Sequence, residues 1–293
     1  MHRCWLLVAL TVLVAAGQPA AQGYRETGLD RPARTTRVGF DLYRDYLIVV
    51  RGSAGPLKGL NFLLDTGATP SVLDPRLAGK LHLEIAPTGI AVLNGSVQGG
   101  EATVPSLQFG PIRKENLPVL VEDLSFLQNA VPVRIDGIVG LDVLGQSAFV
   151  IDYPSREIRF GSSPSMRDSI PLQMKGGLAI VDAIVNHAPV HLLLDTGASS
   201  LIIFEEAQNP ALAGNAGQAQ PTSRTIGDFE RKQLRSISLS LGKAEFGHEQ
   251  AFVVHNRRDA GHDFDGLMSP AALGITSVAV DLARGELAFT RDR

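Results

Sequence analysis

The chain has few cysteines, which could form disulfides, and no excess of basic residues, which would bind a polyanion. It has 293 residues but a single cysteine, Cys4, so it cannot form an internal disulfide. Charged residues make up only 19% of the chain, the formal net charge is −3, and no basic cluster stands out. Nucleic acid is therefore not an expected partner.

Long hydrophobic runs are also missing. The longest N-terminal candidate, residues 5–16, is apolar except for Thr11 and is shorter than the roughly 20 residues that a membrane span needs. It follows a short polar start with Arg3 and precedes small residues that suit signal peptidase. A signal peptide over residues 1–23 is favoured over a membrane anchor, which predicts a periplasmic or secreted protein with no stable membrane span after cleavage.

The composition is typical of a globular protein with a hydrophobic core and many turns. Hydrophobic residues make up 44%, with 30 glycines and 17 prolines. Apolar or β-branched runs bounded by turn residues predict strands at residues 46–50, 61–65, 117–121, 148–152 and 157–160. Helical signals are brief, at residues 74–81 and 141–145. The pattern predicts an all-β protein.

The chain is an internal duplication. The sequence LLDTGAT at residues 63–69 returns as LLDTGAS at residues 193–199. Residues 135–160 align without gaps with residues 264–289, and LQFG at residues 107–110 returns as LSLG. Three landmarks in the same order indicate a repeated unit of about 130 residues.

The repeat and a Ser/Pro-rich seam divide the chain. We predict a signal peptide over residues 1–23, an N-terminal lobe over 24–161, a linker over 162–169 and a C-terminal lobe over 170–293.

In both copies of the repeat an aspartate stands at the end of an apolar strand, where a charged residue is not expected. A buried carboxylate is costly unless hydrogen bonds satisfy it, and the glycine that follows lets backbone N–H groups approach it. Two such loops meeting at a pseudo-twofold axis would place Asp65 and Asp195 side by side. Two adjacent carboxylates then share one proton, so one acts as a general base and the other as an acid. The alternative is a turn that was merely retained through duplication.

These motifs resemble those of the aspartic proteases, in particular the retropepsin-like bacterial branch. The two Asp-Thr-Gly loops match that family's catalytic loop, and IDGIVGLDVL at residues 135–144 matches its second signature. The resemblance spans roughly residues 38–290. It implies a bilobal acid-protease-like fold of two homologous β-barrel lobes, an active site between them, and peptide hydrolysis without metal or cofactor.

The resemblance also implies roles for individual residues. Asp65 and Asp195 would be the catalytic pair. The supporting residues of the two loops would be Thr66, Gly67, Thr196 and Gly197.

A flexible hairpin, the flap, covers the cleft in this family. Residues 92–100 (VLNGSVQGG) fit it, because Asn-Gly is a strong hairpin signal, and they make Asn94, Gly95 and Ser96 candidate substrate-binding residues. Gly227 is the counterpart of Gly95 in the second lobe. No tyrosine occurs in residues 88–104, where the pepsin-like branch carries one, so the retropepsin-like branch is favoured.

The second lobe departs from the pattern at one place. It has GLMSP where the first lobe has GIVGL, so Ser269 and Pro270 replace a glycine and a leucine. The packing beneath Asp195 is therefore expected to differ from that beneath Asp65. This departure keeps open a catalytically inactive protein that binds peptides in its cleft.

Partners and metals complete the expectations. A peptide or protein is the expected substrate, and the duplication predicts a monomer, although each lobe could instead pair with its twin on a second chain. The His- and Asp-containing stretch at residues 255–265 matches no strong metal-ligand spacing, so a solvated loop is favoured there.

Overall fold

The computed structural model describes residues 12–13, 36–93, 95–161, 168–204, 232–254 and 263–291. Strands dominate these residues, so the predicted all-β class is confirmed. The described strands of the first half are β1 (Val12–Leu13), β2 (Thr36–Gly39), β3 (Asp41–Tyr43), β4 (Leu47–Ala54), β5 (Leu57–Leu64), β6 (Val72–Leu73), β7 (Ala86–Val92), β8 (Gly95–Phe109), β9 (Ile112–Val121), β10 (Gly137–Val139), β11 (Phe149–Asp152) and β12 (Glu157–Phe160).

The second half repeats this order. Its described strands are β13 (Asp168–Lys175), β14 (Leu178–Val185), β15 (Ala188–Leu194), β16 (Leu201–Phe204), β17 (Lys232–Leu241), β18 (Ala244–Val254), β19 (Gly266–Met268), β20 (Ile275–Asp281) and β21 (Glu286–Arg291).

Helices are short, as the sequence predicts. The α-helices are α1 (Pro75–Lys80) and α2 (Leu141–Leu144), and 3-10 turns lie at Ser125–Asn129 and Ala271–Leu273. Helix α1 begins where it does because the Asp74 carboxylate accepts a hydrogen bond from the Arg76 N–H, and Pro75 occupies the first helical position.

Each half closes its strands into a ring. In the first half the pairings run β8-β9-β6-β10-β5-β4 and return from β4 to β8, which closes a six-stranded barrel. In the second half β17-β18-β16-β19-β15-β14 form the same cycle, which closes through the pairing of β14 with β17. The predicted repeat is thus expressed as two barrels of equivalent connectivity.

A sheet built from strands of both halves continues from the second ring through the pairing of β14 with β13. Its strands lie in the order β13-β21-β20-β11-β12-β2, and β11 of the first half pairs antiparallel with β20 of the second, with Phe149 opposite Val280. The largest hydrophobic cluster likewise takes buried residues from both halves, among them Phe62, Phe149 and Phe289. The two halves therefore share a continuous core.

The strand predictions hold, and β4, β5 and β9 are longer than expected. Residues 117–121 are only the end of the ten-residue strand β9, because β8 and β9 form one long hairpin whose pairing extends the strand past its apolar run. The predicted domain limits stay predictions, since residues 162–167 lie outside the described residues. Of the predicted signal peptide only β1 is described, and it pairs with Ala91 and Val92 of β7. Among the described residues, no helix combines the length and apolar character needed to span a membrane.

Candidate active site

The two Asp-Thr-Gly loops follow equivalent strands and are held in equivalent ways. Asp65 comes directly after β5 and Asp195 directly after β15. The Asp65 N–H donates to the carbonyl oxygen of Val139 at 3.0 Å, and the Asp195 N–H donates to that of Met268 at 3.0 Å. Both aspartates are completely buried. Each barrel thus delivers one carboxyl group from the end of a strand that pairs with a parallel neighbour.

The threonines of the two loops lock the barrels together. The Thr66 N–H donates to Thr196 Oγ1 at 3.0 Å, and the Thr196 N–H donates to Thr66 Oγ1 at 3.0 Å. Each hydroxyl also donates into the opposite half: Thr66 Oγ1 to the Leu194 carbonyl at 2.7 Å, and Thr196 Oγ1 to the Leu64 carbonyl at 3.3 Å. Four hydrogen bonds therefore cross between the halves where the two aspartates meet, and they use both the donor and the acceptor capacity of each hydroxyl.

The glycines bring each loop against the opposite carboxyl group. The Gly67 N–H donates to Asp65 Oδ1 at 2.8 Å, and the Gly197 N–H donates to Asp195 Oδ1 at 2.8 Å. A Cβ on Gly67 would stand 2.7 Å from Cγ of Asp195, and one on Gly197 would stand 2.6 Å from Oδ2 of Asp65. No side chain fits at either position.

The pair of carboxyl groups resists full ionisation. Burial, and then the negative charge of Asp195, raise the pKa of Asp65 well above its ordinary value of 3.8, and a hydrogen bond between the two carboxyl groups adds to the shift. The N–H groups of Gly67 and Gly197 oppose it. The Oδ2 atom of Asp65 is buried and faces Gly197 without a hydrogen bond of normal length and angle to the described residues. The arrangement can hold one proton between two carboxyl groups.

Comparison with known proteins agrees with this geometry. Residues 50–143 match the family model described as aspartyl protease. This stretch of the chain is similar to aspartyl proteases. It contains the first Asp-Thr-Gly loop and the segment beneath it, and the second loop is its internal repeat. No curated protein matches the chain.

Beneath the first loop lies a small polar network. The Ser71 N–H and Oγ donate to the two carboxylate oxygens of Asp142 at 3.0 and 2.7 Å, and Ser71 Oγ accepts from the Gly140 N–H at 3.0 Å. Burial raises the pKa of Asp142, while the two bonds from Ser71 oppose the rise. The Leu141 N–H donates to the Ala68 carbonyl at 3.0 Å, which ties this segment directly to the catalytic-type loop.

The second half lacks this network. Leu201 and Ala271 occupy the positions of Ser71 and Asp142, and Pro270, at the position of Leu141, has no N–H to donate. Ser269 Oγ instead accepts a hydrogen bond of 3.4 Å from the Ala272 N–H in the following 3-10 turn. The expected difference in packing beneath the two aspartates is therefore confirmed.

The hydrogen bond from Leu141 to Ala68 explains why the first half keeps a glycine, Gly140, where the second half has a serine. A Cβ on Gly140 would lie 2.3 Å from the Ala68 carbonyl oxygen, because the hydrogen bond from Leu141 draws the two segments together. Without that hydrogen bond the second half accommodates Ser269, which is fully buried.

The predicted hairpin exists, but its turn lies one residue earlier than Asn-Gly. Val92 of β7 pairs with Gly95 of β8, and Ala91 pairs with Ser96, so Gly95 and Ser96 are already strand residues. Asn94 and Gly227 lie outside the described residues. Between the strands, Leu93 is fully buried in a hydrophobic cluster whose other members, including Leu193 and Ala198, come from the second half. The end of the hairpin therefore reaches across to the second barrel.

Sequence reasoning missed two features of the site. The first is the pair Ser71 and Asp142, which could have been recognised because both are polar residues in apolar segments and occur in one copy of the repeat only. The second is Leu93, because the Asn-Gly that follows it dominated the interpretation of this segment.

Proposed function

We propose that the chain is an exported aspartic endopeptidase that hydrolyses peptide bonds with a water molecule activated between Asp65 and Asp195. One observation carries this proposal: the hydrogen-bonded threonines hold two duplicated loops together, so that each loop's glycine lies against the completely buried carboxyl group of the other loop. The raised pKa of Asp65 and the match of residues 50–143 to the aspartyl protease family model support it.

The proposed reaction needs one proton shared by the pair. The ionised carboxylate removes a proton from water while the water oxygen attacks the peptide carbonyl carbon, and the protonated carboxyl group donates its proton to the carbonyl oxygen. In the collapse of the tetrahedral diol, the carboxyl group that took the proton from water gives it to the amide nitrogen as the C–N bond breaks. The other, ionised carboxylate takes the proton of a diol hydroxyl, so the pair again carries one proton.

The surrounding residues have positioning roles in this scheme. Thr66 and Thr196 hold the loops at a fixed separation, and the N–H groups of Gly67 and Gly197 stabilise the ionised oxygens. A rigid, pre-oriented pair avoids the reorganisation that water or flexible side chains would require during the reaction.

Export rests on the sequence. The apolar run at residues 5–16 is too short to span a membrane and is followed by small residues, and the only cysteine lies inside the same N-terminal segment. The Ser269-Pro270 departure gives an inactive peptide binder little support, because the Asp195 N–H keeps the same hydrogen bond as its counterpart Asp65.

The test is digestion of an unfolded protein substrate by the purified chain from residue 24 onward, with and without pepstatin, between pH 2 and 8. Proteolysis that pepstatin blocks is the expected result. Asp65→Asn and Asp195→Asn should each reduce cleavage to background while near-UV circular dichroism stays that of the wild type, because the mechanism needs both carboxyl groups. Near wild-type turnover in either variant would show that the dyad is not the active site.

A further inference from the structure

Residues 139–142 form a supporting segment beneath the first Asp-Thr-Gly loop, and all four of them hydrogen-bond the stretch of chain that begins at Asp65. Two of the contacts are between backbone groups. The Asp65 N–H donates to the Val139 carbonyl oxygen at 3.0 Å, and the Leu141 N–H donates to the Ala68 carbonyl oxygen at 3.0 Å. These bonds fix the loop at its first and fourth residues.

A side-chain contact between Ser71 and Asp142 extends this support past the loop. The Ser71 N–H and Oγ donate to the two carboxylate oxygens of Asp142 at 3.0 and 2.7 Å, while Ser71 Oγ accepts from the Gly140 N–H at 3.0 Å. Hydrogen bonds to a carboxylate are stronger than those between uncharged groups. Ser71 is fully buried, and Asp142 lies in α2, whose Val143 and Leu144 are fully buried in the core. The contact therefore ties the loop to a rigid element.

The second half can form only one of these contacts. The Asp195 N–H donates to the Met268 carbonyl oxygen at 3.0 Å, as in the first half. Pro270 has no N–H at the next donor position, and Leu201 and Ala271 have neither the hydroxyl nor the carboxylate. Of these contacts, the second loop therefore keeps the one at its aspartate and none beyond it.

The threonine hydrogen bonds connect the supported loop to the other one. Thr66 and Thr196 each donate their N–H to the other's Oγ1 at 3.0 Å. Gly67 lies so close to Asp195 that a Cβ on the glycine would stand 2.7 Å from the carboxyl carbon. The place of the first loop therefore also decides where the two carboxyl groups meet.

We propose that Ser71 and Asp142 are positioning residues, which hold the first Asp-Thr-Gly loop in the place where its aspartate meets that of the second half. The kinetic part of this inference rests on the proposed function. Reaction rates depend steeply on the orientation of the reacting groups, so the loss of this contact should act on the chemical step more than on substrate binding.

The kinetic test is a double-mutant cycle on the full protein. Ser71→Ala removes the hydroxyl, and Asp142→Asn replaces an acceptor oxygen with an amide nitrogen that cannot accept. Each should lower kcat about 10–100-fold, the effect of a misplaced catalytic group, with KM changed less than about twofold. The double variant should have the kcat of the slower single variant, because both substitutions break the same contact. Wild-type kcat in either single variant, or losses that multiply in the double variant, would overturn the proposal.

Two buried polar residues supply matched controls. Ser269→Ala removes a fully buried hydroxyl from the equivalent segment beneath the second loop, where its hydrogen bond goes to Ala272 of the following turn. Asp74→Asn changes another buried aspartate of the first half, which accepts from the N–H groups of Arg76 and Leu124. Both variants should lose stability but keep kcat within about twofold of wild type. Losses of kcat as large as those in the cycle would overturn the proposal.

Hydrogen exchange of the Gly67 N–H separates this inference from the proposed function. This N–H donates to Asp65 Oδ1 at 2.8 Å, so its exchange reports on the first loop whether or not the protein cleaves peptides. In Asp142→Asn its exchange should be about 10-fold faster than the loss of global stability, measured in urea, accounts for. That result in a protein without proteolytic activity would refute the proposed function alone. Exchange that only follows global stability would overturn the positioning role.

Discussion

At the scale of single residues, the site places two acids where a folded protein ordinarily avoids charge. Asp65 and Asp195 have no exposed surface, and each accepts a hydrogen bond from the N–H group of the glycine two residues further on. Such a pair costs stability whenever both members are ionised, because the folded state prefers to keep a proton that the unfolded chain releases.

That cost gives the stability a defined pH dependence. The pKa of Asp65 is higher in the folded state than its ordinary 3.8, so the stabilisation is complete below about pH 4 and is lost as pH rises towards the folded-state value. We expect Asp65→Asn to remove this loss. The difference in unfolding free energy between variant and wild type, from urea titrations between pH 3 and 8, should increase with pH and then level off. A difference that is constant with pH would contradict the assigned shift.

The residue after each Asp-Thr-Gly tunes the pair. Pepsin-like enzymes usually carry a hydroxyl there, whereas this chain has Ala68 and Ala198, both completely buried. With one fewer donor to each carboxylate the pair should be less acidic, so we expect best activity at about pH 4–6.5. Ala68→Ser with Ala198→Ser should move the acidic limb of kcat/KM to lower pH. An optimum near pH 2 for the wild type, or an unmoved limb in the double variant, would refute this explanation.

At the scale of elements, the segments that follow β10 and β19 show how two copies of one motif diverge. In the first copy a backbone hydrogen bond from Leu141 to Ala68 fixes the spacing, and a part-buried Ser71–Asp142 pair supports it. In the second copy Pro270 removes that donor, and Ser269 Oγ accepts a hydrogen bond from the 3-10 turn. The strand that supports each aspartate is retained while the turn after it changes.

Placing each copy's residue in the other copy, at Gly140 and Ser269, tests whether the two segments pack differently. Gly140→Ser should destabilise the protein by roughly 1–3 kcal/mol or prevent folding, because its Cβ would meet the Ala68 carbonyl at 2.3 Å. Ser269→Gly should cost at most about 1 kcal/mol, since it removes only a long capping hydrogen bond and adds backbone freedom. Thermal unfolding of both variants gives the comparison. Equal losses would show that the two segments are packed alike.

At the scale of the whole molecule, one chain supplies both halves of the site. The β11–β20 pairing and the four threonine hydrogen bonds are all formed within the chain. They satisfy polar groups that a single lobe would leave unpaired at an exposed edge.

We therefore expect a monomer whose specific activity is independent of concentration. Light scattering should give the mass of one chain at the concentration used for the assay. Activity should stay proportional to protein on dilution. An obligate dimer that loses activity on dilution would instead support lobes that pair with their twins on a second chain.

The sequence by itself determined the repeated parts of this protein. Apolar runs with turn residues at their ends predicted the strands around Asp65, the two short helices and the β7–β8 hairpin, because these depend on local patterns. The duplicated Asp-Thr-Gly, with glycine and threonine beside each acid, predicted that Asp65 and Asp195 would be brought together. The contact between their carboxyl groups agrees with that prediction.

Apart from the two aspartates, the tertiary structure alone decided which distant groups meet. A strand pattern states which face is buried but not which strand lies next to it, so the sheet that joins β11 to β20 could not be predicted from local signals. The burial of Leu93 in the second barrel likewise arises from the placement of one barrel against the other. Duplication makes the halves alike in sequence. The contacts between the two barrels, which depend on tertiary structure, are where the differences between the halves affect the site.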